Sequence, residues 1–118
     1  MTTAMTDSMH SETRLWLAQR ASAAVLALCV VVHLAVIIYA VRAGLSAAAI
    51  LGRTHGSLAW FGFYLVFVVA VAVHAPIGLR QVVREMTPWR GPSLDAAAAV
   101  FAAVLAVLGV RAIWGLFA

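Results

Sequence analysis

The stretch Ser57-Leu-Ala-Trp-Phe-Gly-Phe-Tyr-Leu-Val-Phe-Val-Val-Ala-Val-Ala-Val-His74-Ala-Pro-Ile-Gly-Leu-Arg80 decides the fold. From Ser57 to Leu79 it contains no Asp, Glu, Lys or Arg. As a helix rising 1.5 Å per residue it covers about 34 Å, enough to cross a hydrocarbon core of about 30 Å. Trp60, Phe61, Phe63 and Tyr64 cluster at its entry as an interfacial aromatic belt would. Pro76 removes one backbone donor and disturbs the bond to Ala72, which predicts a kink near His74.

Composition extends this reading to the whole chain. Apolar residues make up 65% of the 118 and charged residues 10%, against soluble averages of about 45 to 50% and 25%. The chain is read as one all-α membrane domain. Its net charge of +4 comes from eight arginines against four acids. The arginines stand at the ends of apolar runs, where they read as interfacial anchors and not as a nucleic-acid surface. The single cysteine, Cys29, lies inside an apolar run and is read as a small packing residue.

Three transmembrane helices are predicted, at about 21–41, 57–80 and 94–116. Residues 1–13 are polar and predicted to be a disordered tail, so the anchor domain spans 14–118. Arg14 to Arg20 forms a short amphipathic lead with Trp16 at headgroup level. Ala21 to Val41 is uncharged and spans about 31 Å as a helix. A signal peptide is its rival, with Ala47-Ala48-Ala49 imitating a cleavage site. The apolar part of such a peptide is about 7 to 15 residues long, which favours a retained helix. Arg42 to Gly56 reads as a loop, and Thr87 to Pro92 carries turn chemistry. Ser93 is the expected cap of the third helix and Asp95 a favourable first-turn acid.

Arginine counts set the orientation. Arg14, Arg20, Arg80, Arg84 and Arg90 lie on one side, Arg42, Arg53 and Arg111 on the other. The positive-inside rule places the N-terminus and the second long connection in the cytoplasm, as in a multi-pass protein of a bacterial-type inner membrane.

An ionisable side chain inside a bilayer is costly and marks function by default. His74 is such a group, and neutral imidazole is the commonest metal ligand. Gly78, one turn on, removes a side chain that would obstruct a flat cofactor. Arg80, just past the apolar run, can meet a carboxylate. Together they read as a haem site: axial imidazole, glycine clearing and a basic partner for propionates. His33, midway through the first span, is a second intramembrane imidazole, open to a haem of its own, the same haem, or a bond to a neighbouring helix. Its depth differs from that of His74 by about 10 Å, which argues against one shared iron within the chain. Arg84 and Glu85 read as solvated loop charges, His10 and His55 as surface histidines.

His74-x-x-x-Gly78-x-Arg80, with Gln19-Arg20-Ala21-Ser22-Ala23 ahead of the first span, resembles the cytochrome b556 anchor subunit family of succinate dehydrogenase and fumarate reductase. In that family a His-Arg-x-Ser-Gly stretch opens the first of three spans and His-x-x-x-Gly-x-Arg closes the second. The likeness covers roughly residues 14 to 118. Gln19 and Ala23 depart from the family's histidine and glycine, and Trp16 stands where better-known members have a quinone-binding serine. The resemblance implies a haem b-binding, non-catalytic anchor of a succinate:quinone oxidoreductase. Its partners would be a flavoprotein, an iron–sulfur subunit and a second anchor or second copy. His74 would ligate the metal, with Arg20 and Ser22 near ubiquinone or menaquinone.

Two rival readings are a haem-free anchor of the same complex and a small proton-coupled exporter. The exporter needs an intramembrane acid, and Glu85 and Asp95 lie at or beyond helix ends. No phosphate loop, dinucleotide fingerprint or nucleophile elbow occurs. Flavin and iron–sulfur chemistry must reside elsewhere, because one cysteine cannot hold a cluster.

Overall fold

The computed structural model describes residues 2–118. It contains helix α1 (Thr2–Ala43), helix α2 (Ala47–Thr54), helix α3 (Leu58–Met86) and helix α4 (Pro92–Phe117). Helices α1, α3 and α4 are each long and apolar enough to cross a membrane. The expected spans 21–41 and 94–116 lie inside α1 and α4, and 57–80 begins at Ser57, the N-cap of α3. Helix α3 sits between the others, packing on α1 along one side and on α4 along the other.

The α1 seam follows from spacing. Leu15, Gln19, Ser22, Leu26, Cys29, His33, Val36 and Ala40 are buried or half-buried. They recur in alternating steps of four and three, the 3.5-residue period that keeps one stripe facing a partner helix. On α4 the corresponding stripe is Leu94, Ala98, Phe101, Leu105, Gly109, Ile113 and Leu116. Small residues matter more here than large ones, since helices in lipid gain little from burying apolar area and associate by close contact.

Three segments differ from expectation. The polar tail and amphipathic lead are not separate from the first span: α1 begins at Thr2 and runs through both. Residues 2–19 contain no glycine or proline, so a helix nucleated in the span can propagate backward through them. The connection Arg42 to Gly56 holds α2, capped by Ser46, whose hydroxyl accepts from Ala49 N at 3.0 Å. Finally, Ser93 does not cap α4. Gly91, at φ 95°, occupies that position with Pro92 following, an arrangement suited to proline's missing donor. Ser93 Oγ instead accepts from Trp89 Nε1 at 2.7 Å. Asp95 lies in the first turn of α4 as anticipated, and α3 continues through Pro76 as one helix.

Both ends of the bundle are latched. At the end opposite the N-terminus, Thr54 Oγ1 reaches Leu116 O at 2.9 Å and Gly56 N donates to Phe117 O at 2.9 Å. The rings of Phe61 and Phe117 pack with centroids 5.0 Å apart beside them.

Among the glycines, Gly109 has the least room, since an added Cβ would fall 2.4 Å from Val68 Cγ1. Val68 is β-branched and stiff at χ1, so it cannot swing aside cheaply. Gly109→Ala is expected to destabilise the detergent-solubilised protein by about 1–3 kcal/mol, read as a lower thermal unfolding midpoint. The double variant Gly109→Ala/Val68→Ala should recover much of the loss. Gly115→Ala, whose added Cβ would meet nothing within 4 Å, should be close to neutral.

Candidate functional site

His74 points at α1. Its Nδ1 lies 3.2 Å from Ser22 Oγ, which is also 3.0 Å from Gln19 O one turn back along α1. A serine hydroxyl carries one hydrogen. When that hydrogen goes to Gln19 O, Ser22 Oγ can accept from the imidazole Nδ1–H, an arrangement that leaves the lone pair on Nε2. Ser22 is only 7% exposed, so water has little access to the serine that holds the ring.

One turn further along α3, Gly78 also faces α1. A Cβ there would stand 3.3 Å from Gln19 Nε2. The clearance expected for a flat cofactor is therefore taken up by the side chain of Gln19, whose Oε1 is buried without a partner.

Arg80 finds its carboxylates within the chain. Its Nε donates to Asp95 Oδ1 at 2.7 Å, and its Nη2 lies 4.0 Å from Glu12 Oε1. Arg84 Nη1 approaches the same glutamate oxygen at 3.5 Å. These pairs tie α1, α3 and α4 together at the N-terminal end. Arg84 and Glu85 belong to the last turn of α3 and not to a loop; Glu85 Oε1 accepts from Gln81 Nε2 at 3.1 Å.

Arg20 is exposed, with its Cζ 5.1 Å from the ring centre of Trp16. Trp16 itself lines a cavity of about 440 Å³, together with Glu12, Leu15, Gln19, Ile77, Arg80 and Gln81. Gln19 therefore stands in the wall, whereas Arg20 meets the cavity only through Trp16.

His33 lies toward the opposite end, edge-to-face with Tyr64 and Phe67 at centroid distances of 5.8 and 5.5 Å. Its Nδ1 is buried with no hydrogen-bond partner. Ser22, level with His74, and His33 are separated by about 16 Å of rise along α1. The two imidazoles are too far apart to bind one iron within the chain. Among the described residues no three His, Cys, Asp or Glu side chains converge as a metal cluster would require. His10 and His55 are exposed.

The model of the succinate dehydrogenase/fumarate reductase transmembrane subunit family matches residues 4–112. The chain belongs to that family. No curated protein and no solved structure matches it. As a succinate dehydrogenase/fumarate reductase transmembrane subunit, it is a multi-pass membrane protein that assembles with the soluble catalytic subunits of such a complex.

Gln19, Trp16, Glu12 and Asp95 were not singled out as site residues from sequence. The available signal was helical phase: Gln19 and Ser22 share the seam with Leu15 and Leu26, whereas Arg20 does not. Asp95→Asn removes the charge from the closest ion pair. Arg80 is mostly shielded and Asp95 largely open to solvent (side chains 19% and 59% exposed), so a loss of roughly 1 kcal/mol in the thermal stability of the solubilised complex is expected. Asp7→Asn, on the exposed start of α1, is the control and should leave the midpoint unchanged.

Proposed function

We propose that this chain is the haem b-carrying membrane anchor of a succinate:quinone oxidoreductase, standing between an iron–sulfur subunit and the membrane quinone. The observation that carries the reading is the contact of His74 Nδ1 with Ser22 Oγ. Metal-ligating imidazoles almost always donate their other ring N–H to a fixed acceptor, which sets the tautomer and the ring plane. Ser22, itself held by Gln19 O, is that acceptor here.

The residues fit one axial ligand. His74 would bind iron through Nε2 and Ser22 would orient it. When bound, haem supplies reversible one-electron storage. His74 lines none of the cavities beside it, and Gln19 fills the clearance at Gly78. Haem held by His74 would accordingly need further residues from a partner anchor subunit or a second copy. Arg80, already neutralised by Asp95 and Glu12, would keep the carboxylates of α1 and α4 from facing a propionate unpaired.

The quinone headgroup would enter the cavity bounded by Trp16, Gln19, Arg80 and Gln81. Gln19 would bond its carbonyl oxygen from the wall, and Arg20 would act on it only through Trp16. Ser22, with its only hydrogen directed to Gln19 O, serves His74 instead of the quinone. The arginine distribution directs this end to the cytoplasm, where flavoprotein and iron–sulfur partners would dock.

A haem-free anchor is the second reading, and the filled clearance at Gly78 favours it. Reduced-minus-oxidised spectra of the purified complex separate the two. The haem reading predicts b-type bands that vanish in an assembled His74→Ala variant. Ser22→Ala should keep the subunit assembled but weaken haem retention by roughly ten- to hundredfold, as expected for loss of an orienting partner. A complex that lacks these bands while containing all its subunits leaves the haem-free anchor.

A further inference from the structure

The walls of the cavity at the N-terminal end of the bundle hold a single side chain able to exchange protons with a bound molecule. Leu15 and Ile77 are apolar, Trp16 carries only a donor N–H, and the amides of Gln19 and Gln81 neither gain nor lose a proton. Arg80 keeps its charge throughout. Glu12 is the exception.

Glu12 also faces water. Its side chain is 54% exposed, against 19% for Arg80 and 33% for Arg84, so the carboxylate that lines the cavity is wetted from outside as well. Two guanidinium groups of α3 hold it there: Oε1 lies 3.5 Å from Arg84 Nη1 and 4.0 Å from Arg80 Nη2. Both ties go to the same oxygen, which leaves Oε2 committed to neither arginine. The hold is also loose, because Arg80 makes its short contact, 2.7 Å, with Asp95 Oδ1 of α4. Asp95, and not Glu12, is the principal counter-ion of Arg80.

A quinone that takes up two electrons needs a proton on each carbonyl oxygen to leave as neutral quinol. Gln19 can orient a carbonyl but cannot supply that proton. We propose that Glu12 is the proton-transfer residue of this cavity, carrying protons between outside water and the carbonyl oxygens of a bound quinone. The inference rests on the quinone reading of the cavity and not on iron at His74. In each transfer the Glu12 carboxyl O–H breaks as the quinol O–H forms, with the electrons arriving from the iron–sulfur subunit. The carboxylate then regains a proton from water on its exposed side. Two such transfers and two electrons convert quinone to quinol, and the reverse steps return the protons to water.

Succinate-driven turnover of the assembled complex in native membranes tests it, with short-chain ubiquinone or menaquinone, whichever the wild type reduces. Reduction of a water-soluble dye at the soluble subunits reports assembly. Glu12→Gln should lower kcat with quinone about a hundredfold, the lower end of what a positioned acid–base group contributes, with little change in quinone KM and none in dye reduction. Glu12→Asp, an acid on a shorter arm, should lose less. Formate should restore part of the activity of Glu12→Ala, where it can stand in for the missing carboxyl. Arg84→Gln breaks the shorter tie but keeps the acid, and should turn over like the wild type. Ile77→Trp fills the cavity and should abolish quinone reduction while sparing the dye; if quinone reduction survives it, the quinone reading of the cavity fails and the proposal with it. If Ile77→Trp blocks turnover but Glu12→Gln keeps the wild-type kcat or only raises KM, that reading stands and the proposal is overturned. Equal losses in Glu12→Gln and Arg84→Gln, with no rescue by formate, would also overturn it, since Glu12 would then supply an ion pair and not a proton.

Discussion

A hydrogen bond between two membrane-spanning helices, joining the His74 imidazole and the Ser22 hydroxyl, sets the terms for the rest of the molecule. In hydrocarbon an imidazole without a polar partner is costly, and a serine on a helix ordinarily turns back on its own carbonyl. Here Ser22 does both, bonding to Gln19 O while receiving His74. That is geometrically available only because the α1 stripe advances by 3.5 residues, so Gln19, Ser22 and Leu26 all meet α3. A shift of one residue in this register would rotate Ser22 by about 100° and leave the imidazole without its partner, while Ser22 kept its bond to Gln19 O.

Helix α3 is the plank to which everything else is fixed. Its two sides do different work. Toward α1 it offers His74 and Gly78, a polar contact and a close backbone approach. Toward α4 it offers Val68, pressed against Gly109. The buried apolar set among the described residues is small, comprising Cys29, Ala40, Ala70, Leu94 and Ile113. So little interior cannot hold three helices together by burial. Close packing has to be supplemented at the ends, by the Glu12–Arg80–Asp95 pairs on one side and by the Thr54 and Gly56 bonds to the C-terminal turn of α4 on the other.

The spans were legible because an uncharged run long enough to cross a bilayer has few other readings; Ala21 to Val41 and Ser57 to Leu79 are two such runs, and the shorter Ala96 to Val110 reaches that length once Arg111 snorkels outward. The short helix α2 was not. Eight residues rich in alanine between Gly44 and Gly56 carry no period long enough to separate helix from loop, and the Ser46 cap becomes visible only once its partner at Ala49 is known. The site divides in the same way. His74, Gly78 and Arg80 stood out by type and spacing, but their partners Ser22, Gln19, Asp95 and Glu12 lie on other helices. Which residues oppose them depends on helix offset, a tertiary quantity.

Motif reasoning also joined two residues that a helix separates. Arg20 and Ser22 are two positions apart, about 200° around the axis. They cannot both face α3, and the seam chooses Ser22. Arg20 is left on the outside, over Trp16, while the neutral Gln19 and Ser22 occupy the seam. This division follows from the environment: the guanidinium can reach water by lying along an aromatic ring, whereas an amide and a hydroxyl can enter a helix seam at much lower desolvation cost. The motif is therefore split by phase, with its cation on the exposed face of α1 and its neutral hydrogen-bonding groups set against the imidazole they accompany.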